Sequence, residues 1–286
     1  MQREPPQNYL FIQEDEGIEP LDDQSRTWPL KNVPDTLLEP LFGQPEPTKS
    51  EIAHYGSAQA VPPMRTYIIV HAEKFQWQSD EIEKCKLPYR CLFKGETAEE
   101  RKDEAPYLIE LAEAADFTRR LFTYNPKMPD NMTSVHLWHM EPGMYVRSRA
   151  PLDNVWRHFR RFTRFQNEHE KWFHFRFWEG AIFPAYWKNF ATSFQHVARF
   201  FCSKDFTQSY QLYFIHNGVL TYITPDIEAL KEVEEQIPPF YLAPEDHEFF
   251  QSRADENFKN KIKIQLFEKL DKAPDAQKEL ITGTVD

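Results

Sequence analysis

Residues 151–180 read PLDNVWRHFRRFTRFQNEHEKWFHFRFWEG, and the change of hydrophobic period inside this stretch decides the fold class. Leu152, Val155, Phe159, Phe162 and Gln166 recur at three- and four-residue steps, so the spacing predicts an amphipathic helix with one face in the core. Arg157, Arg160, Arg161 and Arg164 fall on its other side and make that face cationic. Asp153 is the expected N-cap. From Trp172 the period drops to two. Phe173, Phe175 and Phe177 point one way and Trp172, His174, Arg176 and Trp178 the other, which is the pattern of a strand.

Outward from this pair, strand signals recur at Thr66–His71, Tyr89–Phe93, Tyr107–Leu111, His136–His139 and Met144–Val146. Tyr210–Ile215 is followed by Asn217-Gly218, the strongest hairpin signal in the chain, with Val219–Ile223 as the returning strand. Helices are expected at Gln78–Lys86, after Thr97 with Glu100 closing a capping box, and at Asp116–Phe122, Phe183–Trp187 and Ser193–Phe201. From Asp226 the pattern is helical, and Glu245–Lys272 carries Phe250, Ala254, Phe258, Ile262 and Leu266 at four-residue steps. The expectation is an α+β fold. It has a mixed sheet-bearing lobe with flanking helices over 64–225, and a helical C-terminal lobe with a frayed tail over 226–286.

Residues 1–63 hold 10 of the 22 prolines and show little periodicity, so they read as an extended arm. Its Leu37, Leu38, Leu41 and Phe42 are placed to dock on the body or on a partner; plain disorder is the other reading. The chain has net charge -11, unevenly spread. The arm carries 4 basic and 11 acidic residues, 147–165 carries 6 and 1, and 226–286 carries 8 and 15. Acid overall disfavours general nucleic-acid binding, which draws most of its affinity from phosphate neutralisation. Three cysteines without a CxxC pair suit reduced thiols, and no segment reaches the ~18 apolar residues of a spanning helix. A soluble, cytoplasmic protein is therefore expected.

Catalytic and metal motifs are sparse. GxSxG, HExxH, P-loop and GxGxxG patterns are missing, and only 8 glycines leave little room for a phosphate-cradling loop. His136 and His139, read on a strand, would face opposite ways and could not share an ion, so neither metal nor cofactor is expected. The basic helix 152–165 with its aromatics offers a nucleic-acid face as an alternative, and a cryptic enzyme is a weaker one. Stacking on bases, however, would need the rings on the arginine side.

Six short runs, taken together and in order, resemble the effector adaptor-chaperones of the bacterial type VI secretion system (Tap or Tec adaptors). They are Leu92–Gly95 with Thr97 and Glu99, Ala105–Leu111, Gly143–Ser148, His158-Phe-Arg160-Arg161-Phe162, Phe175-Arg176-Phe177-Trp178 and Phe200-Phe201. The resemblance spans roughly 66–215. Where that family continues with Asp-Pro-Arg after its aromatic signature, this chain has Glu179-Gly180-Ala181. The resemblance implies a non-enzymatic protein of a Gram-negative cytoplasm that binds a cognate toxic effector and helps load it onto the secretion spike. Two partner surfaces are expected: Arg157, Arg160, Arg161, Arg164, Arg176 and Glu179 on the basic pair of elements, and Phe250, Phe258, Ile262 and Leu266 on the C-terminal helix.

Overall fold

A computed structural model describes residues 7–25, 28–166, 172–233 and 243–254. Its strands are β1 (Leu10–Asp15), β2 (Arg65–His71), β3 (Tyr89–Cys91), β4 (Pro106–Leu111), β5 (Gly143–Ser148), β6 (Arg164–Gln166), β7 (Trp172–His174), β8 (Gln211–His216) and β9 (Val219–Pro225). The α-helices are α1 (Asp35–Phe42), α2 (Lys49–Tyr55), α3 (Gln78–Glu83), α4 (Glu96–Glu100), α5 (Asp116–Leu121), α6 (Leu152–Phe159), α7 (Phe183–Phe190), α8 (Phe194–Phe201) and α9 (Ile227–Lys231). Seven strands form one sheet in the order β1-β9-β8-β5-β2-β4-β3, while β6 and β7 pair separately. The architecture is α+β, as expected, and the pairings in the large sheet are antiparallel throughout rather than mixed.

The central strand follows from composition. β2 reads RTYIIVH, and its β-branched and aromatic residues are buried on both faces. Ile68 and Val70 join Tyr107, Ile109, Tyr145 and Tyr213 in a core closed by Leu37 and Leu41 of α1, Ile82 of α3, and Phe117 and Leu121 of α5. Tyr67 and Ile69 alternate to the other face and are fully buried as well, so that face is covered too. The β8–β9 hairpin turns at Asn217 (φ 49) and Gly218 (φ 72), the double positive φ that the Asn-Gly pair favours.

A second set of rings comes from α6, α8 and the loop after β7. Phe159, Phe162, Phe177 and Phe200 are buried, with ring centroids between 4.6 and 6.5 Å apart. Each buried phenyl contributes roughly 1.5–3 kcal/mol, and well-placed ring pairs add about 0.5–1.5 kcal/mol. His158 sits among them, 4.0 Å from the Tyr210 ring, with Nε2 hydrogen-bonded to the Phe200 carbonyl at 2.6 Å and Nδ1 3.2 Å from the Arg161 guanidinium. Burial, and after it the Arg161 charge, hold this imidazole well below its ordinary pKa, so it stays neutral and bolts α6 to α8.

Several local expectations are corrected. The helix begins at Leu152 with Pro151 as N-cap; Asp153 lies in the first turn and pairs with Arg90 at 3.3 Å. It also ends early, passing at Arg160–Phe162 into a 3-10 turn and then into β6. The box expected at Thr97 is absent, because Gly95 (φ 60) is the N-cap and starts α4 two residues sooner; a complete capping box instead joins Thr48 and Glu51 at α2. His136–His139 is not a strand, since Trp138–Met140 form a 3-10 turn. β7 stops at His174 and the chain turns at Phe177-Trp178, so Trp178 is buried rather than facing away from Phe177.

Two compact units are present, Met1–Phe165 with Phe173–Phe240, and Gln166–Trp172 with Tyr241–Asp286. Neither the expected boundary at 63 nor that at 225 separates them. The arm is joined to the first unit, because β1 pairs with β9 from Leu10↔Pro225 to Asp15↔Leu220, and Leu37 and Leu41 are fully buried. In the second unit residues 244–254 are helical, started by a hydrogen bond of 2.7 Å from the Ala243 N–H to Asp246. Among the described residues no helix is long and apolar enough to cross a membrane.

The buried imidazoles give an acid-sensitive fold. The pKa of His158 is lowered, as is that of His71 by burial and then Arg176. The unfolded chain therefore binds more protons than the folded one below the free imidazole value of about 6.5. Their contribution is complete above that pH and is lost as pH falls through it. Melting temperature should drop between pH 7.5 and 5.5. His158→Asn should cost about 2–4 kcal/mol at pH 7.5 and flatten that drop, as read by circular dichroism.

Candidate basic surface at the aromatic loop

Loop 175–180 is fixed by its odd-numbered phenylalanines. Phe175 packs edge-on to Phe183 at 5.1 Å, Phe177 enters the ring cluster, and the residue between them is forced outward. Arg176 is thus half exposed, with its guanidinium 3.4 Å from Glu73 and 3.8 Å from Glu179. Glu73 stands in the turn just after β2, so the loop is held to the end of the central strand. Trp178 reinforces this by stacking on His71, the last residue of β2, at 5.6 Å.

His174, at the end of β7, collects the remaining charge. Its Nε2 lies 3.1 Å from Arg101, which also forms a two-pronged contact with Glu104 at 3.0 and 2.6 Å. The Phe93 ring is 5.9 Å from the imidazole. Burial lowers the His174 pKa first, followed by the fields of Arg101, Arg164 and Arg176. Three cations therefore converge on one neutral ring, offset at the rim by Glu73, Glu104 and Glu179. The three arginines and three glutamates balance, so such a mosaic can orient a partner by its pattern of charge more than it adds raw affinity.

The expected arginine face is divided. Arg164, Arg176 and Glu179 belong to this surface, with Arg101, Glu73 and His71 added by the fold. Arg157 reaches Asn154 at 3.3 Å, Arg160 stacks 4.3 Å over the Trp156 ring, and Arg161 donates to the Arg199 carbonyl at 2.8 Å. The early end of α6 rotates them apart. Sequence distance hid Arg101 and Glu73; the signal was only that the lone arginine of an aromatic strand needs a carboxylate. Phe250 lies in the second unit, half-buried and edge-on to Phe249 at 5.4 Å. Phe258, Ile262 and Leu266 lie outside the described residues.

Alternative chemistries find little footing. Phe159 and Phe162 are wholly buried, and Trp156 is half-buried under Arg160, so these three rings are not presented for base stacking. Burial raises the pKa of Cys85, Cys91 and Cys202, the reverse of what a nucleophilic thiolate needs. The rings of His136 and His139 are in fact 4.5 Å apart, yet their Nε2 atoms are engaged by the carbonyls of Pro129 and Asp130. Among the described residues no group of three or more His, Cys, Asp or Glu side chains is arranged to hold a metal ion.

Residues 66–196 match a family model described as a domain of unknown function, DUF4123. No curated protein and no solved structure matches the chain.

The charge coupling is measurable by imidazole NMR titration. Arg176→Ala should raise the pKa of both His71 and His174, whereas Arg101→Ala should raise only that of His174. Because these ion pairs are largely exposed, either substitution should cost no more than about 1 kcal/mol of stability.

Proposed function

We propose that the chain is a non-enzymatic adaptor that binds a cognate toxic effector inside the producing bacterium and helps bring it to a type VI secretion spike. The observation that carries this reading is the family match over 66–196, since that family is associated with effector adaptors of this secretion system. The matched segment holds Glu73, Phe93, Arg101, Glu104, Arg164 and the loop 175–180, which surround His174. Its resemblance runs also fall on parts that build the fold: His158–Phe162 supplies the bolt to α8, and Phe175–Trp178 supplies the anchored loop.

The basic mosaic, Arg157, Arg160 and Arg161, and Phe250 together with Phe258, Ile262 and Leu266 are the proposed partner contacts. The spike and the effector are the proposed partners, and the cytoplasm is the proposed compartment.

The test is co-expression of the tagged chain with the toxin and spike proteins encoded beside it. The toxin is expected to elute with the chain as a stable complex, and Arg176→Glu to lower its retention about tenfold with the melting temperature nearly unchanged. Recovery of neither toxin nor spike by the folded chain would overturn the reading. Retention on DNA that falls with salt and with Arg160→Glu would favour the nucleic-acid alternative instead.

A further inference from the structure

The large sheet has two edges, and among the described residues only the β3 edge is closed. At β3 the register places Arg90 opposite Leu108, and the Leu92 N–H reaches the Pro106 carbonyl, so even-numbered residues face β4 and odd-numbered ones face out. Both outward carbonyls are taken. The Trp156 indole of α6 donates to that of Cys91 at 2.7 Å, and the Arg90 guanidinium to that of Tyr89 at 3.1 Å. Asp153 of α6 then holds Arg90 at 3.3 Å. A strand could not be added on this side without displacing α6.

At β1 the situation is reversed. The Asp226 N–H donates to the Tyr9 carbonyl, which fixes the parity: odd-numbered residues face β9 and even-numbered ones face out. Asn8 accepts from the outward Leu10 N–H at 3.2 Å. The outward N–H and C=O groups of Ile12 and Glu14 find no backbone partner among the described residues. β1 has no proline and no lysine over its six residues, a length of about 20 Å, and its charges are confined to Glu14 and Asp15 at one end.

Beside this edge runs a groove of about 500 Å³, lined by Phe11, His54, Tyr55, Met64, Phe206 and Ile227. Phe11 is 60% exposed there, and α2, which forms one wall, has no buried residue. Exposed Asp15 and Glu16 continue the strand with negative charge, while Glu14 is shared with Lys188 at 2.7 Å.

From these observations we infer that β1 accepts an extended segment of a protein partner as an eighth strand, whose alternate side chains are apolar toward the Phe11 groove and basic beside Asp15 and Glu16. Main-chain hydrogen bonds to Ile12 and Glu14 supply affinity, and the groove and the acidic end select side chains and direction. This deepens the adaptor reading, on which it rests for the source of the strand, an effector.

Glutamate 14 allows a clean test because its N–H points away from β9. Glu14→Pro removes that donor and the carboxylate, whereas Glu14→Ala removes the carboxylate alone. The probe is a fluorescein-labelled Lys-Val repeat octapeptide, with an isomer N-methylated on alternate amides as its control. Anisotropy should show binding to the wild-type chain and to Glu14→Ala, and binding about tenfold weaker to Glu14→Pro and for the N-methylated isomer. In the unmodified chain, hydrogen exchange at the Ile12 and Glu14 amides should slow when peptide is added, a readout that stands even if Glu14→Pro unfolds. Equal binding to both variants, equal binding of the N-methylated isomer, or unchanged exchange at those amides would overturn the inference. So would a dimer in light scattering that Glu14→Pro converts to monomer, since the edge would then belong to a second copy. The probe requires no toxin, so its result is independent of the adaptor reading; a toxin retained equally by wild type and Glu14→Pro would keep that reading and remove the edge from it.

Discussion

Two arginines at the end of β5 make the N-terminal arm part of the fold. A proline-rich segment lacks N–H donors but keeps its carbonyls, so burying it requires donors from elsewhere. Arg147 supplies them to the carbonyls of Pro40, at 3.0 Å, and Gly43. Arg149 reaches the carbonyls of Pro62 at 2.8 Å and Pro45 at 3.0 Å, and its Nε meets Glu51 at 2.6 Å. Thr66 of β2 donates to the Leu41 carbonyl, and Gln44 exchanges two hydrogen bonds with the backbone of Met64. With the arm held in this way, α1 closes one core face and β1 can reach β9. The burial of Leu37 and Leu41 then adds roughly 1.5–3 kcal/mol for each side chain.

This dependence explains which parts of the chain were legible beforehand. β2, β4 and the β8–β9 hairpin announced themselves because β-branched and aromatic runs, or an Asn-Gly turn, carry their own structural preference. The arm did so only in part: the expected docking of Leu37 and Leu41, about one helical turn apart, is found, but the arm otherwise depends on arginines about a hundred residues away, a relation that local periodicity does not encode. His136 and His139 were misplaced for a related reason: four alternating residues resemble a strand, yet here the carbonyls of Pro129 and Asp130 draw the rings into a turn.

The candidate surface was half visible. Arg176 was conspicuous as a charge among rings, and its ejection by Phe175 and Phe177 follows from the two-residue period. Its main partner, Glu73, comes from the far end of β2, and the convergence with Arg101 on His174 needs three separate elements. The row of arginines on α6 was legible as a helical face but not as its actual dispersal, which arises where the helix tightens at Arg160–Phe162.

The closure of β3 by Trp156 and Arg90 bears on stoichiometry. A sheet open at both edges can hand its pairing surface from molecule to molecule and so propagate a filament. With one edge sealed, any association through the remaining one consumes it, and the complex is finite. Growth through this sheet then stops at a single added chain.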